Sequence, residues 1–296
     1  GVTPAIAGGS QEADAEVTGA NCKVILGLTA LVTAATIFFG IIPSPLVDWA
    51  NAAGDAIGSL IADSLRAEGV RTAGLLVREK CLSQLSFIAV EPAAGRRTIF
   101  WKRPTGPALK PAEIDLAALR RARLFYTDGL FSEAALFAAR QARAAGIPVV
   151  VDAGTLREGM LDLARLSDVF IASEHFGRAL AGGDDPRLAC RLLAALGPSL
   201  AGVTLGKAGY VALAGGRWIE KGAYPAAAVD TTGCGDVFHA GVAYGVVRGW
   251  EAEKCLDLGA WAARGQKTVP PGRGPDKPVL RHARRGALTL AATLTP

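Results

Sequence analysis

Histidine, methionine and paired cysteine are scarce in this sequence. It contains three histidines, one methionine and five cysteines, and no two cysteines form a C-x-x-C pair. The sequence contains no G-x-S-x-G segment and no H-E-x-x-H segment. It therefore lacks the nucleophile motif of many serine hydrolases and the metal-binding motif of many zinc hydrolases. An odd number of cysteines without close pairs argues against a disulfide framework and favours reduced thiols, so we expect a cytoplasmic protein.

Charged residues are also few, and the two signs are mixed along the chain. They make up 20% of the 296 residues, with a net charge of +5. No run of basic residues exceeds a pair such as Arg96-Arg97, so the slight basic excess suits an anionic ligand and does not indicate nucleic acid. Half of the residues are apolar, which is enough for a sizeable core and excludes a collagen, a coiled coil or a disordered chain.

One long stretch, Val24–Val47, carries no charge. Its first part, Val24–Ile42, is long enough to cross a bilayer, so a membrane helix is one interpretation. Against it, nine of those 19 residues are β-branched and Pro43 and Pro45 follow closely, a pattern typical of consecutive buried strands. The flanks lack a basic cluster, and the acidic residues before the stretch do not suit a signal peptide. We therefore favour sheet strands and keep the membrane helix as the alternative.

After residue 50 the chain alternates between helical and strand-like segments. An amphipathic helix is predicted over Ala53–Glu68, and Leu85–Val90 and Arg97–Trp101 are predicted to form a hairpin around a turn-forming linker. Further strands are predicted at Leu124–Tyr126, Pro148–Asp152, Val169–Ala172, Gly202–Leu205 and Tyr210–Leu213, and helices at Ser132–Ala145 and Pro186–Leu196.

This alternation indicates an α/β fold, with a mostly parallel sheet covered by helices on both faces. No repeat or linker divides the chain, so we predict a single domain over residues 1–296. In such sheets ligands bind at the carboxyl ends of strands, so the loops after Asp152, Ala172 and Leu205 are the expected places for chemistry.

The most informative segment is Asp230–Gly241, which reads D-T-T-G-C-G-D-V-F-H-A-G. Apolar residues recur at helical spacing within and after it, so Gly233–Gly235 are predicted to begin a helix. The first N–H groups of a helix have no intrahelical partner and the helix dipole is positive there, so this loop can bind an anion without a lysine. Asp236 would lie in the first turn, where a carboxylate can take the proton of an attacking hydroxyl during phosphoryl transfer.

Asp230–Gly241 resembles the signature of the ribokinase-like (PfkB) carbohydrate kinases, D-T-T-G-A-G-D-x-F-x-x-G. Every specified position matches except Cys234, where alanine is usual. The resemblance implies a ribokinase-like doubly wound fold with a small β-hairpin lid. It also implies that Asp236 is the catalytic base and contacts the substrate, and that the N–H groups of Gly233, Cys234 and Gly235 form an anion hole.

A second segment, Val203–Gly209, is similar to the family's strand-end segment V-T-L-G-x-x-G. Without the resemblance, this glycine pattern would indicate only a turn after a strand. With it, the segment implies nucleotide contacts from Thr204, Gly206 and Gly209, to which the signature adds Thr231. The implied cofactor is Mg²⁺ with ATP.

Two further segments extend the resemblance over roughly residues 53–275. Gly54–Gly58 resembles the family's G-D-x-x-G helix, and the predicted hairpin resembles its lid over the sugar. The lid is then expected around residues 83–103, with part of 1–22 as a candidate addition, and Arg97 as a substrate-binding residue. Because such a lid often serves as a dimer clasp, and an exposed hairpin edge can pair with another copy, we expect a homodimer.

The sequence departs from the family in three places. The magnesium-linked N-x-x-E motif is replaced by Ser173–Phe176, S-E-H-F, where Glu174 could orient a metal-bound water or could equally be a solvated acid at a helix start. The family's sugar-binding Asp and G-G-x-x-x-N segment have no clear counterpart in residues 1–50. Pro270–Gly274 stands where the family has a loop near the adenine and a monovalent cation, so K⁺ is a candidate cofactor.

We therefore predict an ATP-dependent sugar kinase, resembling ribokinase, fructokinase and ketohexokinase. Mg²⁺-ATP is expected along Gly206–Gly209 and Gly233–Gly235, and the sugar under the hairpin near Arg97–Trp101. One alternative is a nucleoside or phosphosugar kinase of the same fold, the latter using Lys102-Arg103 as a basic cluster. Another alternative is a noncatalytic protein that binds a nucleotide or sugar.

Two unusual residues of the signature segment are expected to have modest roles. Cys234, at a helix start that would stabilise a thiolate, is interpreted as a small replacement for alanine. His239 lies three residues beyond Asp236, on a neighbouring helical position, and is interpreted as a packing or supporting residue.

Overall fold

The computed structural model describes residues 5–7, 10–14, 51–91, 96–102, 104–226, 231 and 233–267. The chain divides into two compact units: unit 1 comprises residues 1–108, 226–237 and 265–296, and unit 2 comprises residues 109–225 and 238–264. Two such units can belong to one domain, so the single-domain prediction stays a prediction.

Unit 1 contains helix α1, Ala56–Ala67, within the predicted Ala53–Glu68. The helix begins three residues late because Asp55 is its N-cap and accepts a hydrogen bond from the Gly58 N–H at 2.7 Å. The Ser83 N–H and hydroxyl also donate to Asp55, at 2.8 and 2.7 Å. Partial burial acts to raise the pKa of Asp55, but the hydrogen bonds from Ser83 and Gly58 hold it below its ordinary value. Asp55 therefore joins the start of α1 to the segment before the hairpin.

The hairpin predicted in unit 1 is confirmed, since β5 (Leu85–Glu91) and β6 (Arg96–Lys102) pair antiparallel. They belong to a four-stranded sheet of order β1-β2-β6-β5, in which β1 is Ala5–Ala7 and β2 is Ser10–Asp14. Strands β3 (Asn51–Ala53) and β4 (Leu76–Arg78) form a separate parallel pair. The role of the hairpin as a lid stays a prediction.

Unit 2 is built on a six-stranded sheet of order β12-β11-β10-β9-β8-β7. Its strands are β7 Phe125–Thr127, β8 Val149–Ala153, β9 Val169–Ser173, β10 Leu200–Thr204, β11 Tyr210–Ala214 and β12 Arg217–Lys221. Strands β7 to β10 are parallel, while β11 and β12 extend the sheet as antiparallel strands. The sequence predicted β7 to β11 within two residues at each end and missed β12, where only Ile219 is buried.

Helices connect and cover these strands. They are α2 Leu116–Arg120, α3 Ser132–Ala144, α4 Met160–Leu166, α5 Glu174–Ala181, α6 Pro186–Ala194, α7 Cys234–Val247 and α8 Ala252–Lys267. Two short 3-10 turns, Pro111–Glu113 and Gly206–Ala208, lie between them.

Helices cover both faces of the six-stranded sheet, as predicted. Successive residues of a strand point to opposite faces, and Val169–Ala172 are all buried. On one face, Phe170 packs against Phe176 of α5, with ring centroids 5.5 Å apart. The strand register places Tyr210 on the opposite face, where it packs against Phe238 of α7 at 5.8 Å. Helices α5 and α7 therefore lie on opposite sides of the sheet.

Several predictions concern residues outside the described ranges. These are the uncharged stretch Val24–Val47, the signature residues Asp230 and Thr232, and the Pro270–Gly274 loop. Among the described helices, none combines the length and the apolar character needed to cross a membrane.

Candidate active site

The start of α7 lies where the signature segment predicted it. The helix begins at Cys234, and Gly233 has φ 75°, a left-handed conformation that favours glycine. The Val237 N–H donates to the Gly233 carbonyl at 3.0 Å, and the Cys234 N–H donates to the Thr231 carbonyl at 3.2 Å. Thr231 is therefore held beside the helix start, and the Cys234 N–H takes part in the turn that leads into it.

In the first turn of α7, Cys234 is half-buried and Gly235 and Asp236 are exposed, and the next residues, 237–243, are buried. Gly235 is one of its exposed residues, and among the described residues no atom outside the helix's own neighbouring backbone lies within 4 Å of the position that a Cβ on it would occupy. Its φ lies outside the left-handed region. Neither conformation nor packing within the described chain therefore demands glycine here. A ligand that approaches the backbone would demand it.

The other glycine-rich loop follows β10. The Thr204 hydroxyl donates to the Ala172 carbonyl at 3.3 Å, and the Leu205 N–H donates to the Gly209 carbonyl at 2.7 Å. Gly206 and Gly209 have φ values of 56° and 95°. A Cβ on Gly209 would overlap the Lys221 carbonyl oxygen. The loop is thus shaped by its own hydrogen bonds and by its contact with the end of β12.

Glu174, the candidate magnesium ligand, is the first residue of α5. Its carboxylate forms a salt bridge with Arg178 at 2.9 Å, and Arg178 also lies 3.1 Å from Asp184. Ser173 caps the helix by accepting from the Phe176 N–H at 3.0 Å. Within the described residues, no three potential metal ligands come together. A metal role for Glu174 stays a prediction.

Arg97 lies in β6, in register with Val90. It belongs to unit 1, as do Thr231, Gly233–Gly235 and Asp236. Its role in binding the substrate stays a prediction.

The structure reveals a buried polar cluster in unit 2 that the sequence did not predict. The Tyr126 hydroxyl donates to Asp152 Oδ2 at 2.9 Å, and His239 Nδ1 lies 3.3 Å from the same oxygen. His239 Nε2 lies 3.2 Å from the Ile171 carbonyl oxygen. Asp152 was recognisable as a carboxylate at a strand end, and the register of β7 and β8 puts Tyr126 on the same face. Nothing in the local pattern indicates that a helix would bring His239 to them.

Comparison with known proteins gives a family match for most of the chain. Residues 47–266 match the model described as pfkB family carbohydrate kinase. The chain is 33% identical over 103 residues to the ATP-dependent 6-phosphofructokinase of Thermoanaerobacterium thermosaccharolyticum, over 35% of this chain and 32% of that protein. It is 28% identical over 147 residues to fructokinase-2 of Zea mays, over 44% of each chain. These matches span less than half of either relative's length.

The fold is similar to a solved structure of Arabidopsis thaliana ribokinase complexed with ribose and ATP. The two superpose with a TM-score of 0.69 at 23% identity, covering 90% of this chain and 86% of the other. This likeness shows that the chain has the fold of that protein.

Proposed function

Because the chain belongs to the pfkB family of carbohydrate kinases, we propose that it transfers the γ-phosphate of ATP to a hydroxyl of a small carbohydrate. The observation that carries the proposal is the start of α7, where Gly235 and Asp236 are exposed and, within the described part of the chain, no atom beyond the neighbouring backbone fills the place of a Cβ on Gly235. A phosphate group fits such a position because it needs close approach to N–H groups and a positive helix end.

In the proposed reaction, Asp236 accepts the proton of the sugar hydroxyl as the hydroxyl oxygen attacks the γ-phosphorus, while the bond from that phosphorus to the β–γ bridging oxygen breaks and ADP leaves. The N–H groups of Gly233, Cys234 and Gly235, with the helix dipole, stabilise the charge on the transferred phosphoryl group. The Cys234 N–H is shared with the Thr231 carbonyl in the turn. The strand-end residues Thr204, Gly206 and Gly209 contact the nucleotide in this proposal.

Mg²⁺ would accompany ATP and neutralise phosphate charge during transfer. It keeps several waters and needs few protein ligands, so the single exposed carboxylate of Glu174 fits the role of holding a metal-bound water. Glu174 would have to exchange its contact with Arg178 for that water. A requirement for K⁺ stays a prediction.

The acceptor class is the first point to test. The purified chain should be assayed with Mg²⁺-ATP against ribose, fructose, deoxygluconate, fructose 6-phosphate and adenosine. We propose a neutral sugar as acceptor. A phosphosugar kinase is the second candidate because of the similarity to a 6-phosphofructokinase. Binding of ATP by calorimetry with no turnover of any acceptor would support the noncatalytic alternative.

The mechanism is tested by Asp236→Asn. Because the carboxamide cannot take the proton, we expect kcat to fall by about a thousandfold or more, while thermal stability hardly changes because Asp236 is exposed. Asp162→Asn is the matched control, since Asp162 is also an exposed acid in the first turn of a helix. An Asp236→Asn enzyme with near-normal turnover would refute the assignment.

We further propose that the protein is a cytoplasmic homodimer. The sheet order leaves β5 without a second partner strand among the described residues, and an unpaired edge is suited to pairing with another copy. Light scattering coupled to size-exclusion chromatography measures the mass in solution, and a monomeric mass at assay concentration would contradict the dimer.

A further inference from the structure

The cluster of Tyr126, Asp152 and His239 joins three elements of unit 2. Tyr126 comes from β7, Asp152 from β8 and His239 from α7, and the His239 ring also reaches the main chain of β9 at Ile171. The imidazole thus has one nitrogen against a carboxylate and the other against a carbonyl. The nitrogen that carries the ring proton donates: Nδ1 faces Asp152 Oδ2, and Nε2 faces the Ile171 carbonyl oxygen.

The side chains of His239 and Asp152 are largely shielded from water, so their contacts with each other cannot easily be replaced. The His239 side chain is 4% exposed and that of Asp152 is 16% exposed. Buried polar groups lose water as a partner, so a helix displaced from these strands would leave a carboxylate and an imidazole short of hydrogen bonds. The apolar contacts of Val237, Phe238 and Ala240 have no preferred direction, whereas a hydrogen bond prefers a particular distance and angle. His239 therefore adds a directional constraint to the apolar packing of α7 on the sheet.

His239 lies three residues after Asp236 on the same helix, so the two residues occupy neighbouring positions on successive turns. Asp236 is exposed, whereas the residues that follow it, 237–240, are buried. Because both turns belong to one helix, a contact that holds the second turn of α7 also determines where the first turn, with Asp236, lies.

We propose that His239 is a positioning residue: its contact with Asp152 holds α7 so that the Asp236 carboxylate is correctly placed for the attacking hydroxyl. The inference rests on the proposed function for the role of Asp236. The contact with Asp152 is the important one because its partner is a carboxylate, and a hydrogen bond to a carboxylate is stronger than one to a main-chain carbonyl.

Two substitutions separate the two contacts of the ring. In His239→Asn, the side-chain amide nitrogen takes the place of Nδ1 and keeps the contact with Asp152. In His239→Gln, it takes the place of Nε2 and keeps the contact with Ile171. Both variants are assayed with the panel acceptor that the wild type phosphorylates fastest. We expect His239→Gln to lower kcat about tenfold, with KM for ATP and KM for the acceptor each within about twofold of the wild type. We expect His239→Asn to retain kcat within about threefold of the wild type.

Tyr126→Phe is the control for loss of a hydrogen bond to the same carboxylate. It removes the donor to Asp152 Oδ2 without touching α7, so we expect any loss of thermal stability to come with an unchanged kcat. A His239→Gln enzyme with wild-type kcat would overturn the proposal. So would an equal fall of kcat in the Gln, Asn and Phe variants, because a general weakening of the fold would explain it.

Hydrogen exchange supplies a readout that does not depend on turnover. In the peptide covering residues 233–240, we expect exchange in His239→Gln to be about tenfold faster than in the wild type, and within about threefold of it in His239→Asn and Tyr126→Phe. Failure of the wild type to phosphorylate any panel acceptor would refute the proposed function alone. Unchanged exchange in His239→Gln would refute the positioning role alone.

Discussion

The two glycine-rich loops use glycine for different reasons. In the strand-end loop, Gly209 has a left-handed φ and lies so close to the end of β12 that any side chain would overlap the backbone. At the start of α7, Gly235 has neither constraint from the described chain. The sequence shows a similar G-x-x-G or G-x-G pattern in both places. The structure separates a glycine that the fold requires from one that the described part of the chain does not require.

The largest effect should come from Gly209→Ala, which tests the first half of this comparison. A Cβ there would lie 2.7 Å from the Ala223 nitrogen and would overlap the Lys221 carbonyl, in a backbone conformation that alanine rarely adopts. We expect the free energy of unfolding to fall by about 2 to 4 kcal/mol, measured by urea denaturation.

Gly183→Ala is the matched control for that experiment. Gly183 has no left-handed φ, and no described atom lies within 4 Å of the place for its Cβ, so we expect its stability to stay within about 0.5 kcal/mol of the wild type. Equal stability of the Gly209→Ala and Gly183→Ala proteins would contradict the conclusion that the fold requires Gly209.

Gly235→Ala should lower activity and leave stability intact, whereas Gly209→Ala should lower stability. Since alanine favours a helix over glycine, we expect the protein to be as stable as the wild type or more stable by about 0.5 to 1 kcal/mol. The added methyl group would occupy the space proposed for phosphate, so kcat/KM for ATP should fall about a hundredfold. Steady-state kinetics and thermal melts on the same preparation measure both, with Gly183→Ala again as the control. Full activity in Gly235→Ala would mean that this glycine serves no ligand.

Cys234→Ala should have the smallest effect. Cys234 contributes its main-chain N–H to the turn, and alanine keeps that group, so we expect kcat and KM within about twofold of the wild type. A loss of about a hundredfold, the size of a general acid-base contribution, would show that the thiol itself takes part.

The sequence predicted the parts of the fold that depend on local periodicity. The start of α7, the hairpin and strands β7 to β11 follow from apolar spacing and glycine positions. Strand β12 was missed because an edge strand with one buried residue, Ile219, has little apolar pattern. The late start of α1 follows from its local N-cap, Asp55, but the contact of Asp55 with Ser83, 28 residues further along, is one that no local pattern carries.

The restriction of sequence patterns to local features also explains which parts of the candidate site could be predicted. The signature segment predicted which residues begin α7, because helix starts and glycine turns are local features. The contact of His239 with Asp152 joins residues 87 positions apart in the sequence, so it depends on how helix and sheet pack. The salt bridge of Glu174 with Arg178 was available from its i,i+4 spacing, although spacing alone does not say whether a metal competes for the carboxylate.

The contact between α7 and α8 has a mechanical consequence. A Cβ on Gly241 would lie 2.7 Å from the Gly259 Cα, and one on Gly259 would lie 2.6 Å from the Phe238 carbonyl oxygen, so the two helices meet backbone to backbone. The Phe238 and Val242 side chains also lie 3.2 Å from the Cβ position of Gly259, but the backbone atoms at this crossing cannot move aside by a change of rotamer, so the helices resist sliding along each other. A displacement of α7, its first turn included, must therefore carry α8 with it, so the two helices move as one body.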